Sequence, residues 1–461
     1  MRQFFFLISI FTLSLFFSAC STKASFINQD TLQAEGRYSE AILYANEQID
    51  HDDTTSRDNL LWKLYLGQSH FFDNNLSASI SSFDEAENLM KIHREKILAV
   101  DLAKDIGSTL TNDNTRPYIG STYDGIMLNT YKALAYMLQK DFSAARVELN
   151  RAIDRQRRAK EFFASSIAKE TEAIKKEQAG TQTSTGTSQE TQDRTIQEVI
   201  QAQYPELNGY KVYPDFINPM TNYLAAIFAL ANDDKTKAEF LLKESRAMLP
   251  ASKTIEDDFQ HLSQTQREDT VWLIYEEGLA PVLHEMRIDF PAWIFTSEVN
   301  YVSLALPRIY ERPGAFEYLS LRHEDQNITK TELLSSMERV IQTEFKKHYP
   351  SIVKRSVISA ISKALMQRVA NDSNNNIAAF VTTVYGILST QADTRMWTSL
   401  PKNFHVAKFN KDGRNSIDIY SPFNHKIASV KLAPAKYTLI YVKIPTMAHK
   451  AHISSFSLGV E

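Results

Sequence analysis

The chain has 461 residues, 43% of them hydrophobic and 23% charged, with a formal net charge of −4. That is ordinary material for sizeable cores, and so mild an acidity offers no basic stripe for a nucleic-acid partner. Thirteen glycines and one cysteine argue against glycine-rich nucleotide loops and leave no pair for a disulfide.

Met1-Arg2-Gln3 precedes an apolar run, Phe4 to Phe17, broken only by Ser9, Thr12 and Ser14. A charged start and an apolar core too short for a comfortable membrane span are the marks of a signal peptide. The run closes on Phe17-Ser18-Ala19-Cys20. This resembles the bacterial lipobox, in which small residues precede a cysteine that is diacylated and the segment before it is removed. Phe17 stands where that motif usually has Leu. The resemblance implies lipidation at Cys20. With Ser21 next rather than Asp, it implies delivery to the periplasmic face of the outer membrane. Three acyl chains exceed the two signals that stable anchoring needs. Roughly 440 residues then remain, enough for two to three domains.

The first helical signal is Leu32 to Ala41. Three fuller units follow, at Asn59–Met90, Tyr123–Gln156 and Asn218–Pro250, and they share one spacing rule. Gly67 and Ser79, Ala133 and Ala145, and Ala226 and Ala238 are small residues twelve apart. Phe83, Leu149 and Leu242 come four later, and Ala86, Ala152 and Ser245 three later again. Two antiparallel helices that pack closely need small side chains where they cross and bulkier ones beside them. The units resemble the tetratricopeptide repeat, at an irregular period and with inserts. Gln178 to Asp193, rich in Thr, Gln, Ser and Gly, reads as a flexible loop, because such composition buries too little to offset its ordering entropy.

After Pro250 the texture changes. Thr270–Tyr275, Met286–Phe290, Tyr301–Leu306 and Phe316–Leu321 read as strands. Thr331–His348, Ser351–Val369 and Asn376–Gln391 read as helices, and four short strands close the chain near Phe404–Phe409, Ser416–Tyr420, Lys426–Leu432 and Tyr437–Ile444. The expected fold class is α+β. Residues 1–19 form the signal peptide, 20–30 a tether, 31–250 a tetratricopeptide-like helical array, 251–400 an α+β domain and 401–461 a small antiparallel β-unit.

The nucleophile-elbow, phosphate-loop, metalloprotease and dinucleotide fingerprints do not occur. Two S-x-x-K matches, Ser166–Lys169 and Ser351–Lys354, lack the companion motifs of penicillin-binding enzymes and read as helix-surface residues. The densest polar cluster is Glu276-Glu277, with Arg287 ten residues beyond the second. Adjacent carboxylates can raise one another's pKa for acid–base work; the plainer reading is one capping or salt-bridging glutamate beside a solvated one. His449 and His452 lack the company a metal site requires. No cofactor and no metal are expected.

Asn129–Leu134, Tyr275–Pro281 and Ala392–Pro401 together resemble segments of an uncharacterised family of bacterial lipoproteins with a tetratricopeptide-like front half. The resemblance implies an envelope component and brings no activity with it. Asp393, Arg395 and Trp397 fit either a buried ion pair beside an aromatic plug or a partner-binding surface. The expected function is a non-enzymatic adaptor, held to the membrane by its lipid and binding an envelope protein, with Tyr131, Tyr136 and Tyr223 as candidate contacts. The alternative is an envelope hydrolase or transferase using Glu276 and Glu277, and a smaller place is left for lipid or glycan binding.

Overall fold

The computed structural model describes residues 25–103, 116–159, 161, 188–213, 218–263, 268–294, 296–372 and 391–459. Cys20, both residues of the first S-x-x-K match, and most of the Asn376–Gln391 helix lie outside them. The first half is helical: α1 (25–34), α2 (Tyr38–Gln48), α3 (Asn59–Phe72), α4 (Leu76–Ala103), α5 (Thr122–Leu138), α6 (142–159), α7 (Gln189–Gln203), α8 (Glu206–Gly209), α9 (Pro219–Ala231), α10 (Lys235–Met248) and α11 (Lys253–Gln260).

Four of these helix pairs turn in the same way. Gly36, Asn74, Lys140 and Asp233 take the left-handed conformation, with φ of 66°, 61°, 62° and 58°. The next residues, Arg37, Asn75, Asp141 and Asp234, donate their N–H to the carbonyls of Leu32, His70, Tyr136 and Ala229 at 2.9–3.0 Å. Each N–H thus reaches back five residues to a helix-end carbonyl, which ends the first helix without wasting it. In three pairs the same residue starts the second helix: Asn75, Asp141 and Asp234 accept from the N–H groups of Ala78, Ala144 and Lys237. Twelve-residue spacing across such a turn brings the two small side chains to the crossing. Ser79 Oγ donates to the Gly67 carbonyl at 2.7 Å, and Ala133, Ala145, Ala226 and Ala238 are wholly buried.

The described residues of the stretches expected as tether and flexible loop are largely helical. Residues 25–30, assigned to the tether, are already helical; Phe26 stacks on Trp62 with ring centroids 4.4 Å apart. Residues 189–193, assigned to the loop, open α7: Ser188 caps its first turn, and Ile196 and Ile200 bury further along.

The second half holds strands β1 (Thr270–Glu277), β2 (Val282–Pro291), β3 (Tyr301–Tyr310), β4 (Ser320–His323), β5 (Gln326–Lys330) and β6 (Glu332–Ser336). Helix α12 (Met337–Asp372) follows, and then β7 (Asn403–Asn410), β8 (Ser416–Tyr420), β9 (Lys426–Lys431), β10 (Tyr437–Ile444) and β11 (His452–Ser457). The two helices expected across residues 331–369 are instead β6 and one helix that runs through Pro350. Proline removes one helical hydrogen bond there, while Tyr349, Val353 and Val357 bury on both sides of it against the β2–β3 ribbon.

The closing strands do not form a unit of their own. One sheet runs β11-β10-β1-β7-β6 and another β5-β4-β8-β9, so residues 401–461 supply strands to both and pair with β1, β4 and β6 upstream. β1 and β10 are parallel. Strand β1 is buried along its whole length, as a central strand covered on both faces must be. Its Trp272 and Ile274 pack with the helical array. Val271, Leu273 and Tyr275 face the other way and pack with Leu321, Ile417 and Ile419 of the four-stranded sheet. The protein is therefore α+β, in three layers of helices, mixed sheet and antiparallel sheet.

The close crossing sets a first prediction. A Cβ on Gly67 would lie 2.7 Å from the ring of Phe83, which is itself fully buried. Gly67→Ala should cost about 1–3 kcal/mol through overpacking, more than the ~1 kcal/mol it gains in helix propensity. Its urea midpoint should fall; an unchanged or higher midpoint would contradict the crossing.

Candidate functional site

Alternation along β1 sends Glu276 and Glu277 to opposite faces. Glu276 turns towards the helices and Glu277 towards the loop before β4, and both are buried. Parallel pairing sets Lys443 of β10 beside Glu276, and Lys443 Nζ donates to Glu276 Oε2 at 2.9 Å. The other oxygen, Oε1, accepts from Tyr131 Oη of α5 at 2.8 Å and from Tyr441 Oη of β10. Lys443 also donates to the Ser399 carbonyl at 3.1 Å and lies over the Phe72 ring, 4.7 Å from its centroid. Burial lowers the Lys443 pKa while Glu276 holds it up.

The network continues into the helices. Gln68 Nε2 donates to Tyr131 Oη at 2.8 Å and to the Ser399 carbonyl at 3.1 Å. Its Oε1 accepts from Trp397 Nε1 at 3.1 Å and from Ser399 Oγ. Tyr65 Oη reaches the Met396 carbonyl at 3.1 Å. A second knot has the same design: Asp258 accepts from Tyr223 Oη of α9 and, at 3.2 Å, from Trp272 Nε1, with Lys408 Nζ 2.7 Å away. Tyrosines of α3, α5 and α9, each the first helix of a hairpin, thus donate their hydroxyls to groups outside those hairpins. A buried phenol needs such a partner.

Glu277 accepts from the Ala315 N–H and, at 2.8 Å, from Asn403 Nδ2; burial raises its pKa. Gly314 passes so close that a Cβ there would collide with this carboxylate. Arg287 joins neither glutamate. It is largely exposed on β2 and pairs with Glu285 at 2.9 Å. The expected cluster of Glu276, Glu277 and Arg287 is therefore three separate environments.

The tyrosines expected at a partner surface fare differently. Tyr131 and Tyr223 are fully buried in the two knots, so neither can present its ring to a partner, while Tyr136 is half-buried. Arg395 bridges Asp393 at 2.6 Å and Asp58 at 2.7 Å, and also donates to the Arg116 carbonyl. Trp397 is fully buried. This segment is a strap between α3 and the sheet. Lys443, Tyr441 and Gln68 complete the hub without having been singled out in the sequence. The usable signal was a lysine inside the otherwise apolar run Tyr437–Ile444, which can only be buried if paired.

A third buried cluster closes the start of α5. Asp124 accepts from Tyr118 Oη at 2.6 Å and from the Ser121 N–H at 2.8 Å. Glu344 of α12 accepts from the Thr122 N–H at 2.8 Å. Burial pushes Asp124 up to about 7 and raises Glu344 as well.

Among the described residues no helix is long and apolar enough to cross a membrane, and no three His, Cys, Asp or Glu side chains gather as a metal site would require. Compared with known proteins, the chain matches no family model, no curated protein and no solved structure.

Two predictions follow from these clusters. Removing either member of the Glu276–Lys443 pair strands the other charge, so Glu276→Gln and Lys443→Met should each cost roughly 3–5 kcal/mol in urea unfolding. The double variant should lose clearly less than the sum, and additive losses would show that the two charges are not coupled. For Asp124, the folded-state pKa stands above the ordinary value of 3.8. The native chain therefore holds a proton that the unfolded chain releases, and this group's stabilisation is lost as pH rises from about 4 to about 7. Asp124→Asn should gain stability relative to the parent across that window. A difference that stays constant from pH 4.5 to 7.5 would rule the shift out.

Proposed function

We propose that this protein is a lipid-anchored adaptor of the bacterial envelope, on the periplasmic face of the outer membrane, whose tetratricopeptide-like array binds a protein partner. The observation that carries the reading is the fourfold recurrence of one hairpin turn, at Gly36, Asn74, Lys140 and Asp233. Stacked hairpins of this kind give extended binding surfaces. The carboxylates that favoured an enzyme, Glu276 and Glu277, are buried and hydrogen-bonded within the protein, with no face towards a substrate.

The contact surface is assigned to the second helices. Leu43, Val147 and Phe240 lie two residues after Ala41, Ala145 and Ala238, which makes them equivalent positions in their hairpins. All three are exposed, at 66%, 48% and 48%. Apolar side chains repeated on an outer face at no structural gain are what a partner would cover. Of these, Phe240 also carries Arg157 over its ring, the aromatic and arginine pairing common at binding hot spots.

Lipidation at Cys20 would confine this surface. The first described helix begins at residue 25, and five residues span at most roughly 18 Å. A partner would then meet the array next to the bilayer.

The test is crosslinking and affinity capture from envelope fractions with three full-length chains. The parent should sediment with membranes and recover a defined partner. The parent should incorporate labelled palmitate where Cys20→Ala, which keeps residues 1–19 uncleaved, should not, and Val147→Glu/Phe240→Glu should lose the partner while unfolding at the same urea midpoint. Absence of palmitate from the parent, or its equal incorporation in Cys20→Ala, sinks the anchor, and recovery unaffected by the double variant sinks the surface.

A further inference from the structure

Helices α4 and α6 face one another across a cavity of about 360 Å³, lined by Glu87, Arg94, Thr122, Arg151, Asp154, Arg155, Arg158 and Ala159. That volume lies within the range of small-molecule sites. Arg151, Arg155 and Arg158 sit at i, i+4 and i+7 and so share one face of α6; Arg94 comes from α4 opposite.

Among the described lining residues four arginines face two carboxylates, and Glu148 beside the cavity takes part of the Arg151 charge, which leaves a net positive wall in a chain whose net charge is −4. The carboxylates are already engaged. Glu87 holds Arg155 and lies 3.8 Å from Arg151, and Asp154 pairs with Arg158 at 3.1 Å. Arg155 is fixed in place by donating to Asn129 Oδ1 at 2.7 Å. Arg151 gives Nη1 to Glu148, and Arg158 gives Nε to Asp154. A guanidinium carries five donors, so these pairs use only part of what two exposed arginines can offer. Beneath them Arg94 is lowered by burial and by Arg155, while Asp124 and Glu344 act on it the other way. An arginine-rich wall whose carboxylates are already engaged suits an anion with several acceptor oxygens, such as a phosphate, which guanidinium forks can grip in pairs.

We infer that the cavity between α4 and α6 is a binding site for a phosphate-bearing anion, with Arg151 and Arg158 as its outer clamp and Arg155 and Arg94 as its floor. The inference goes beyond the adaptor reading and does not depend on it. The phosphate can belong to a soluble metabolite or to a lipid headgroup, and the chemistry of recognition is the same.

The test is calorimetric titration of the full-length protein in detergent with pyrophosphate, at low ionic strength. One saturable site is expected, weakened at least tenfold in Arg151→Gln/Arg158→Gln. It should be unchanged in Arg194→Gln, which removes an exposed charge from α7. Tricarballylate, a tricarboxylate whose charge near pH 7 is close to that of pyrophosphate, should bind more weakly than pyrophosphate. Titration of the same protein with short-chain phosphatidylglycerol or phosphatidylcholine, below their micellar concentrations, separates the sources. Phosphatidylglycerol binding lost in the arginine double variant identifies a headgroup; pyrophosphate binding without it identifies a soluble ligand. The proposal is overturned by the absence of both, by equal binding of tricarballylate, or by an equal loss in Arg194→Gln. Both variants replace exposed side chains, and an unchanged urea midpoint separates lost binding from lost folding.

Discussion

A lysine and a glutamate with no access to water hold this molecule's layers in register. Glu276 and Lys443 lie side by side on parallel strands, and neither can stay charged in that position alone. The cost of stranding a charge in a low-dielectric interior is several kcal/mol. The sheet must therefore bring β1 and β10 together in this register. A one-residue slip would turn one charge to the opposite face. Tyr131 then fixes α5 to the same carboxylate, so the condition that aligns two strands also seats the helical array on them.

The rest of the array obeys the same constraint at two further points. Tyr65 reaches the strap at Met396, and Tyr223 reaches Asp258 beside Trp272 and Lys408. Helical hairpins stacked only on one another can flex along their axis, because each contacts only its neighbours. Three tyrosine hydroxyls seated on fixed polar groups remove much of that freedom. The array is rigid where it meets the sheet, and its second helices are left to face outward.

How much of this was legible beforehand depends on the length scale of the signal. The twelve-residue spacing of Gly67 and Ser79 is local, and it marked the crossing point of a hairpin before any coordinates. The run Thr270–Tyr275 likewise announced a strand. Pairing partners were not legible, because strand order is set by contacts far apart in sequence: β10 lies beside β1 although 159 residues separate Glu277 from Lys436, the residue whose carbonyl accepts from the Thr270 N–H. For that reason residues 401–461 looked like a unit when they belong to two sheets. The same blindness affected the candidate site. Tyr131 and Tyr223 look like surface rings when read as single residues. Only the arrival of Glu276 and Asp258 from elsewhere in the chain buries them.

Burial also separates the polar groups that hold the fold from those with capacity to spare. Glu276, Lys443 and Asp258 are enclosed and matched, and a bound molecule would have to break bonds already made. On α6 the balance is different: Arg155 is tied to Asn129 and Glu87, while Arg151 and Arg158, 52% and 74% exposed, hold carboxylates through one nitrogen each. Charge that is structurally necessary is driven inward and paired, because desolvation without a partner is prohibitive. Cationic side chains massed on one helix face around a cavity meet no such requirement, and their mutual repulsion opposes folding. An arrangement that opposes folding persists most readily where an anion relieves it. The physical division in this chain therefore runs between a sheet-side interior whose charges are enclosed and a helix-side cavity whose paired charges still face solvent.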